Sequence, residues 1–267
     1  MIGAIRIFIV VAAMVALCLT LIPVQYVFLK LKNGWKRSLP KLFHRIAARL
    51  FGFRIRTVGE IHRGRPLLLV ANHTSWSDII VMSAVGQVSF IAKSDVRSWP
   101  VFGHFAILQR TVFVERERRG KTGEQTSEIA KRLIAGDAMV LFPEGTTSDG
   151  NRVLPFKTAL FGAAHAAIRE AGVAEVIVQP VAIAYTHVHG MAMGRYHRPI
   201  ASWPGDVELM PHLKGILREG AIDVEVRFGE PVVVTAATDR KALARTMEAK
   251  VRALLQTALL GREISEE

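Results

Sequence analysis

No charged residue interrupts the chain between Ile7 and Leu29, and this run of 23 residues constrains the fold more than any other feature. As a helix rising about 1.5 Å per residue it is roughly 34 Å long, enough to cross a hydrocarbon core about 30 Å thick. A secretory leader has a shorter apolar core and a small-residue cleavage site. Here Ile22-Pro23-Val24-Gln25 runs on into Tyr26-Val27-Phe28-Leu29 instead. Residues 1–29 are therefore expected to be a retained membrane anchor. Pro23 can kink a helix, so a full span and a re-entrant hairpin within one leaflet both fit the pattern.

Charge around the run sets an orientation. Arg6 alone precedes it, whereas Lys30, Lys32, Lys36, Arg37, Lys41, Arg45 and Arg49 follow. The positive-inside tendency then places the bulk of the protein in the cytoplasm, in a bacterium at the inner membrane. Beyond Pro40, the residues Leu42, Phe43, Ile46, Ala47, Leu50 and Phe51 recur at helical spacing, with Lys41, Arg45 and Arg49 on the other side. Residues 30–52 thus read as a basic amphipathic helix lying on anionic lipid, or as a packed helix with a solvated basic face. The chain carries 35 Lys+Arg against 23 Asp+Glu, a formal charge of +12, which favours an anionic partner without identifying it. Its one cysteine, Cys18, rules out an intramolecular disulfide and a cysteine-based zinc cluster.

Residues 53–267 alternate between strand and helix patterns. The expected strands are Phe53 to Val58, Leu67 to Ala71, Val88 to Ala92, Thr111 to Glu115, Ala138 to Phe142, Val176 to Ala184 and Asp223 to Phe228. Several are continuous apolar runs, as a sheet covered on both faces requires. Helices are expected over Ser77 to Val85, Gly123 to Ala135, Phe156 to Ala171 and Asp239 to Leu260, with His187 to Asp206 as a loop or insertion. This order predicts one α/β domain built on a single mixed, largely parallel sheet flanked by helices.

The chemically richest stretch is Leu67-Leu68-Leu69-Val70-Ala71-Asn72-His73-Thr74-Ser75-Trp76-Ser77-Asp78. A buried strand ends, a polar loop follows, and a helix starts near Ser75 or Ser77, the junction where open α/β sheets gather active-site groups. With His73 in the loop and Asp78 in the first helical turn, the carboxylate can reach one imidazole nitrogen. A histidine so held can take the proton from a hydroxyl during attack, which is worth on the order of a hundred- to ten-thousand-fold in rate. A histidine and an aspartate five apart are more often structural, so the companions of this pair decide its meaning.

Those companions occur in order. Asn72-His73 through Asp78 resembles the His-x4-Asp motif of the glycerolipid acyltransferases, the family of lysophosphatidic acid acyltransferase. Phe113-Val114-Glu115-Arg116, Phe142-Pro143-Glu144-Gly145-Thr146 and Val178-Gln179-Pro180-Val181 resemble its second, third and fourth blocks. The resemblance implies that His73 is the general base and Asp78 its orienting carboxylate. It also implies that Arg116, Glu144, Gly145 and Thr146 place the polar part of the acceptor, with Pro180 in the fourth block. Lys93 and Trp99-Pro100-Val101-Phe102-Gly103 also look familial and are expected to line the acyl or acceptor channel. Taken alone, Arg116 and Glu144 would read as surface charges.

One departure bears on the acceptor. The third block usually continues with arginine, but Thr147 stands there, and losing a cation weakens the hold on a phosphate. Together with Gln109 through Arg119, the run Phe142 through Asn151 resembles the bacterial lyso-ornithine lipid acyltransferases, whose acceptor has a free hydroxyl and a zwitterionic head. The resemblance implies an acyl carrier protein or coenzyme A thioester as donor, a lysolipid as acceptor (lyso-ornithine lipid, with lysophosphatidic acid or both as the alternative), membrane lipid as surroundings, and no metal or organic cofactor.

Other signals fall short. Gly120-Lys121-Thr122 lacks the glycine a phosphate loop needs five residues earlier, where Glu115 stands. His187, His189 and His197 have no evident third ligand at metal spacing, and no Gly-x-Ser-x-Gly turn is present. A membrane-tethered nucleic-acid binder and a catalytically silent lipid-binding scaffold remain as other classes. The first lacks any nucleic-acid motif, and an intact His73 and Asp78 argue against the second.

Overall fold

The structure is a computed structural model that describes residues 2–114, 122–171, 173–205 and 207–261. Helix α1 (Ile2–Lys30) is followed by α2 (Trp35–Phe51), then β1 (Phe53–Val58), β2 (Leu67–Ala71), α3 (Asp78–Val85), β3 (Val88–Lys93) and α4 (Phe102–Leu108). Next come β4 (Val112–Val114), α5 (Thr122–Ile134), β5 (Ala138–Leu141), α6 (Gly162–Ala171), β6 (Val176–Val188) and β7 (Met191–Ala192). The chain closes with α7 (Leu209–Glu219), β8 (Ile222–Phe228), β9 (Val232–Val234) and α8 (Arg240–Leu259).

The strands form one mixed, largely parallel sheet in the order β1-β8-β6-β2-β5-β3-β4, with β7 and β9 also paired to β6. β2 lies near its middle, parallel to β5 on one side and β6 on the other, and all five of its residues are buried. Because side chains alternate across a strand, Leu68 and Val70 join a core with α5, α6 and α8, while Leu67, Leu69 and Ala71 join a second core with α2, α3 and α7. Each fully buried leucine contributes roughly 1.5–3 kcal/mol. This packing fixes the end of β2, from which the histidine loop departs.

Helix α1 is long and apolar enough to cross a membrane, and most of its surface is not covered by protein. It is tied to the domain at both ends. The Arg6 guanidinium donates to Leu217 O and also reaches Leu50 O, Phe51 O and Gly220 O. The Gln25 amide donates to Lys36 O and Leu108 O, both at 3.0 Å. The first of these has a local cause: Pro40 lies inside α2 and has no N–H for Lys36 O, so Gln25 fills the gap. α2 therefore begins ahead of Pro40 rather than after it. Ala47, Ala48 and Phe51 are buried, with Ala48 and Phe51 in the core shared with α3, whereas Leu42, Arg45 and Arg49 stay exposed.

Other boundaries shift for physical reasons. The helix expected from Phe156 starts at Gly162 after a short 3-10 turn, because Phe156 N–H is held by Glu248 and Lys157 N–H by Pro143 O. β6 runs to Val188, paired with β8, so the expected loop from His187 begins two residues later. Glu115, the end of the expected strand Thr111 to Glu115, lies outside the described residues.

Candidate active site

The Asn72 side chain closes the end of β2 by donating to Ile183 O (2.9 Å) and accepting from Ile183 N–H (2.8 Å). The loop turns immediately after this clamp. His73 Nδ1 lies 2.8 Å from Asp78 Oδ2, and the same oxygen accepts Thr74 N–H (2.7 Å) and Ser75 N–H (3.0 Å). Asp78 is fully buried at the start of α3, while the His73 side chain remains 20% exposed. The anticipated contact between the two side chains is thus present. Ser77 occupies the N-cap position, but its hydroxyl does not cap the helix; it pairs with Tyr185 OH at 2.6 Å.

Tyr185, on β6, donates to Asp78 Oδ1 at 2.8 Å. Burial, followed by the neighbouring Asp78 charge, raises its hydroxyl well above the ordinary value of 10.0, so it stays a donor. The carboxylate is therefore held through both oxygens by fixed groups, as an orienting aspartate requires. With Nδ1 committed to Asp78, Nε2 is the ring nitrogen left for a substrate. The imidazole lies flat on Phe142, ring centroids 4.1 Å apart and planes 14° apart.

The third block meets the first. Glu144 Oε1 accepts His73 N–H (2.7 Å), Oε2 accepts Leu154 N–H (2.8 Å), and Ser148 N–H donates to His73 O (2.8 Å). Glu144 is only 2% exposed. Burial pushes its pKa up from 4.5 to about 8, against the two backbone donors that pull it down. Both oxygens are thus engaged, Oε1 by the loop that carries His73 and Oε2 by Leu154. Gly145 turns the chain with φ +74°, a region that suits glycine, and Thr146 faces solvent while Thr147 and Ser148 are buried.

The remaining expected residues are dispersed. Lys93 closes β3 and pairs with Asp95 at 2.7 Å, with its side chain about half exposed. Pro180 is buried in β6 opposite Val70, three positions before His73 along the paired strand, and accepts Gly229 N–H through its carbonyl. Arg116 lies outside the described residues. Trp99 meets Trp203 edge-on, and Trp203 N–H donates to Thr74 O at 2.8 Å, which brings this pair beside the histidine loop. Tyr185 lies one residue beyond the expected strand Val176 to Ala184, and Phe142 was read as a strand end and the start of the third block; only the pairing of distant segments shows that both touch the His73/Asp78 pair.

A mixed sheet with a carboxylate-held histidine at the end of a central strand fits the acyltransferase class that the motif order implies. Residues 53–184 match the family model described as Acyltransferase. The chain is 86% identical over 266 residues to the lyso-ornithine lipid O-acyltransferase of Brucella abortus (strain 2308), covering all of both proteins. It is 52% identical to the lyso-ornithine lipid O-acyltransferase of Rhizobium meliloti (strain 1021), over 99% of this chain and 91% of that protein. It is 36% identical to the 1-acyl-sn-glycerol-3-phosphate acyltransferase of Neisseria gonorrhoeae, over 71% and 69%. Among solved structures, the 1-acyl-sn-glycerophosphate acyltransferase PlsC of Thermotoga maritima superposes with a TM-score of 0.61 at 22% identity, covering 96% of this chain and 100% of that one, a likeness of fold. The chain belongs to the acyltransferase family and is an enzyme of that class.

Proposed function

We propose that this enzyme transfers a fatty acyl group from an acyl carrier protein or coenzyme A thioester to the free hydroxyl of lyso-ornithine lipid, giving ornithine lipid. The observation that carries the mechanism is the 2.8 Å His73–Asp78 contact at the mouth of the sheet. His73 takes the hydroxyl proton as the oxygen attacks the thioester carbonyl. The new C–O bond forms, the C–S bond breaks, and the imidazolium returns the proton to the departing thiolate. Asp78 steadies the imidazolium charge and keeps Nδ1 as the donor nitrogen. Glu144 and Gly145 set the loop's shape, while Thr146 and Arg116 are assigned to the acceptor, Lys93 to the channel rim and Pro180 to the supporting strand.

Two observations favour the ornithine acceptor: the relatives named for it are the more similar ones, at 86% and 52% identity, and Thr147, rather than a cation, follows Thr146. The relatives named for 1-acyl-sn-glycerol-3-phosphate make lysophosphatidic acid the second acceptor. Residues 1–29 serve as membrane anchor, 30–52 as a basic helix beneath it and 53–267 as the acyltransferase domain, facing the cytoplasm at the inner membrane. Attachment of α1 through both Arg6 and Gln25 favours insertion into one leaflet, since a perpendicular span would draw the docked domain into the bilayer.

The test is a side-by-side assay of purified enzyme on lyso-ornithine lipid and lysophosphatidic acid, each with labelled acyl carrier protein and coenzyme A thioesters. The expected outcome is faster turnover of lyso-ornithine lipid and none by His73→Ala. Much faster acylation of lysophosphatidic acid would reverse the acceptor assignment, and an active His73→Ala would remove the base.

A further inference from the structure

Five cations cluster about one carboxylate at the opposite end of the strands from His73. Asp137, just before β5, is buried and accepts from Arg110 at 2.8 and 3.0 Å and from Arg132 Nε at 2.5 Å, while Arg37 Nε lies 2.8 Å away. Lys36 and Arg65 line the same cavity, about 180 Å³ in volume, together with Arg37, Arg110 and Asp137. Asp137 neutralises one of these charges and leaves four in excess, more than ion pairing explains. Burial, and then the like charges of their neighbours, holds Lys36, Arg65 and Arg110 below their ordinary pKa values. Arg110 is also presented from a backbone with φ +62°, a region side chains rarely adopt.

An apolar groove adjoins this cavity. Leu21 and Ile22 of α1, Leu39 and Phe43 of α2, and Phe105 and Leu108 of α4 line it, but its volume is only about 30 Å³, room for a water and not for a chain; Pro40 and Gln109 belong to both spaces. The Arg37 Nε–H, 2.8 Å from Asp137, makes no well-aligned hydrogen bond among the described residues. A basic cavity beside the uncovered apolar surface of α1 suits an amphiphile with an anionic head. Its place fits too, because Lys36 and Arg37 lie in the first turn of α2, just after the apolar anchor ends.

We propose that this cavity binds an anionic phospholipid, with its head-group phosphate among Lys36, Arg37, Arg65 and Arg110 and its acyl chains against the uncovered apolar surface of α1. The site is separate from the catalytic one. Asp137 and Phe142, on which His73 stacks, lie five residue steps apart along β5, roughly 17 Å at strand rise.

The full chain in neutral detergent would be titrated calorimetrically with dihexanoyl phosphatidylglycerol, dihexanoyl phosphatidylcholine and inorganic phosphate. The expected result is saturable binding of phosphatidylglycerol at least tenfold tighter than either of the others. Lys36→Glu with Arg65→Glu should weaken it at least tenfold, and neither residue hydrogen-bonds Asp137 directly. The same charge change at Arg45→Glu with Arg49→Glu, on the exposed side of α2, should weaken it less than twofold. Should the first pair unfold, Lys36→Gln with Arg65→Gln replaces it. Equal losses in the two glutamate pairs would reduce the effect to general charge attraction and overturn the site. Phosphate binding as tightly as the lipid, or phosphatidylcholine as tightly as phosphatidylglycerol, would overturn it as well. Acyl transfer by each variant, measured in parallel, reports on the His73 site independently.

Discussion

Replacing Asp78 with asparagine separates the charge of this residue from its shape. Asparagine keeps one oxygen, and the surroundings dictate where it points: His73 Nδ1, Thr74 N–H and Ser75 N–H all converge on Oδ2. The amide nitrogen must then face Tyr185, whose hydroxyl can accept it by turning its own proton to Ser77 Oγ, 2.6 Å away. The Ser77 proton gives up Tyr185 as its acceptor, so the folding cost is that of this lost donor bond and of exchanging charge-assisted bonds for neutral ones, about 1–3 kcal/mol. The two backbone donors also keep the asparagine oxygen facing Nδ1, which preserves the tautomer with Nε2 as the base. Only the negative charge beside the forming imidazolium is lost. The expected fall in kcat is therefore about 10²–10³-fold, roughly 2.7–4 kcal/mol, smaller than when an amide also inverts the tautomer. Initial rates of lysolipid acylation with purified variant, KM for the acceptor and thermal unfolding together check this. A variant turning over within threefold of the parent would refute the reasoning, because Asp78 would then contribute no charge to the transition state.

Three further substitutions probe the support of the loop. Tyr185→Phe removes a buried donor and leaves Asp78 Oδ1 and Ser77 Oγ without it; thermal unfolding should show a loss of about 1–3 kcal/mol. Asn72→Ala leaves Ile183 N–H and C=O unpaired inside the protein, and denaturant unfolding should register about 2–4 kcal/mol together with slower turnover. Glu144→Gln sets an amide NH₂ against either His73 N–H or Leu154 N–H, again at a cost of about 1–3 kcal/mol. The pH dependence of that last variant is distinctive. Between pH 4.5 and about 8 the unfolded chain releases the Glu144 proton while the folded one retains it, so this group's contribution to stability falls as pH rises. Glutamine has no such proton, and the Tm advantage of the parent over Glu144→Gln should shrink from pH 5 to pH 8.

The sheet was legible where local pattern and burial agree. Leu67 to Ala71 is an unbroken apolar run because both faces of β2 are covered, and β1 likewise falls where alternation places it. Asp239 signals the start of α8 through a side-chain cap on Ala242 N–H. What was missed carries contrary local signals. α7 contains Pro211 and Gly215, residues that normally mark breaks, yet it folds because Ile216 and Leu217 find the core beside β2. α4 is seven residues long and β9 three, too short to show a period.

The His73–Asp78 contact could be anticipated because both partners lie within one turn of chain, where spacing alone brings them together. Tyr185 could not, since it is 107 residues from Asp78 and arrives only because β6 pairs alongside β2. Glu144 shows the same limit in a different form. In sequence it is a charge in a polar turn, as open to the acceptor as Thr146. Its 2% exposure, and the two backbone N–H groups on its oxygens, follow from β5 lying beside β2 and delivering Pro143 to Ser148 against the histidine loop. Motif order along a chain can therefore name the residues of a site, but burial divides them. His73, partly open to an incoming hydroxyl, and Glu144, closed beneath it, differ by a property that only long-range packing creates.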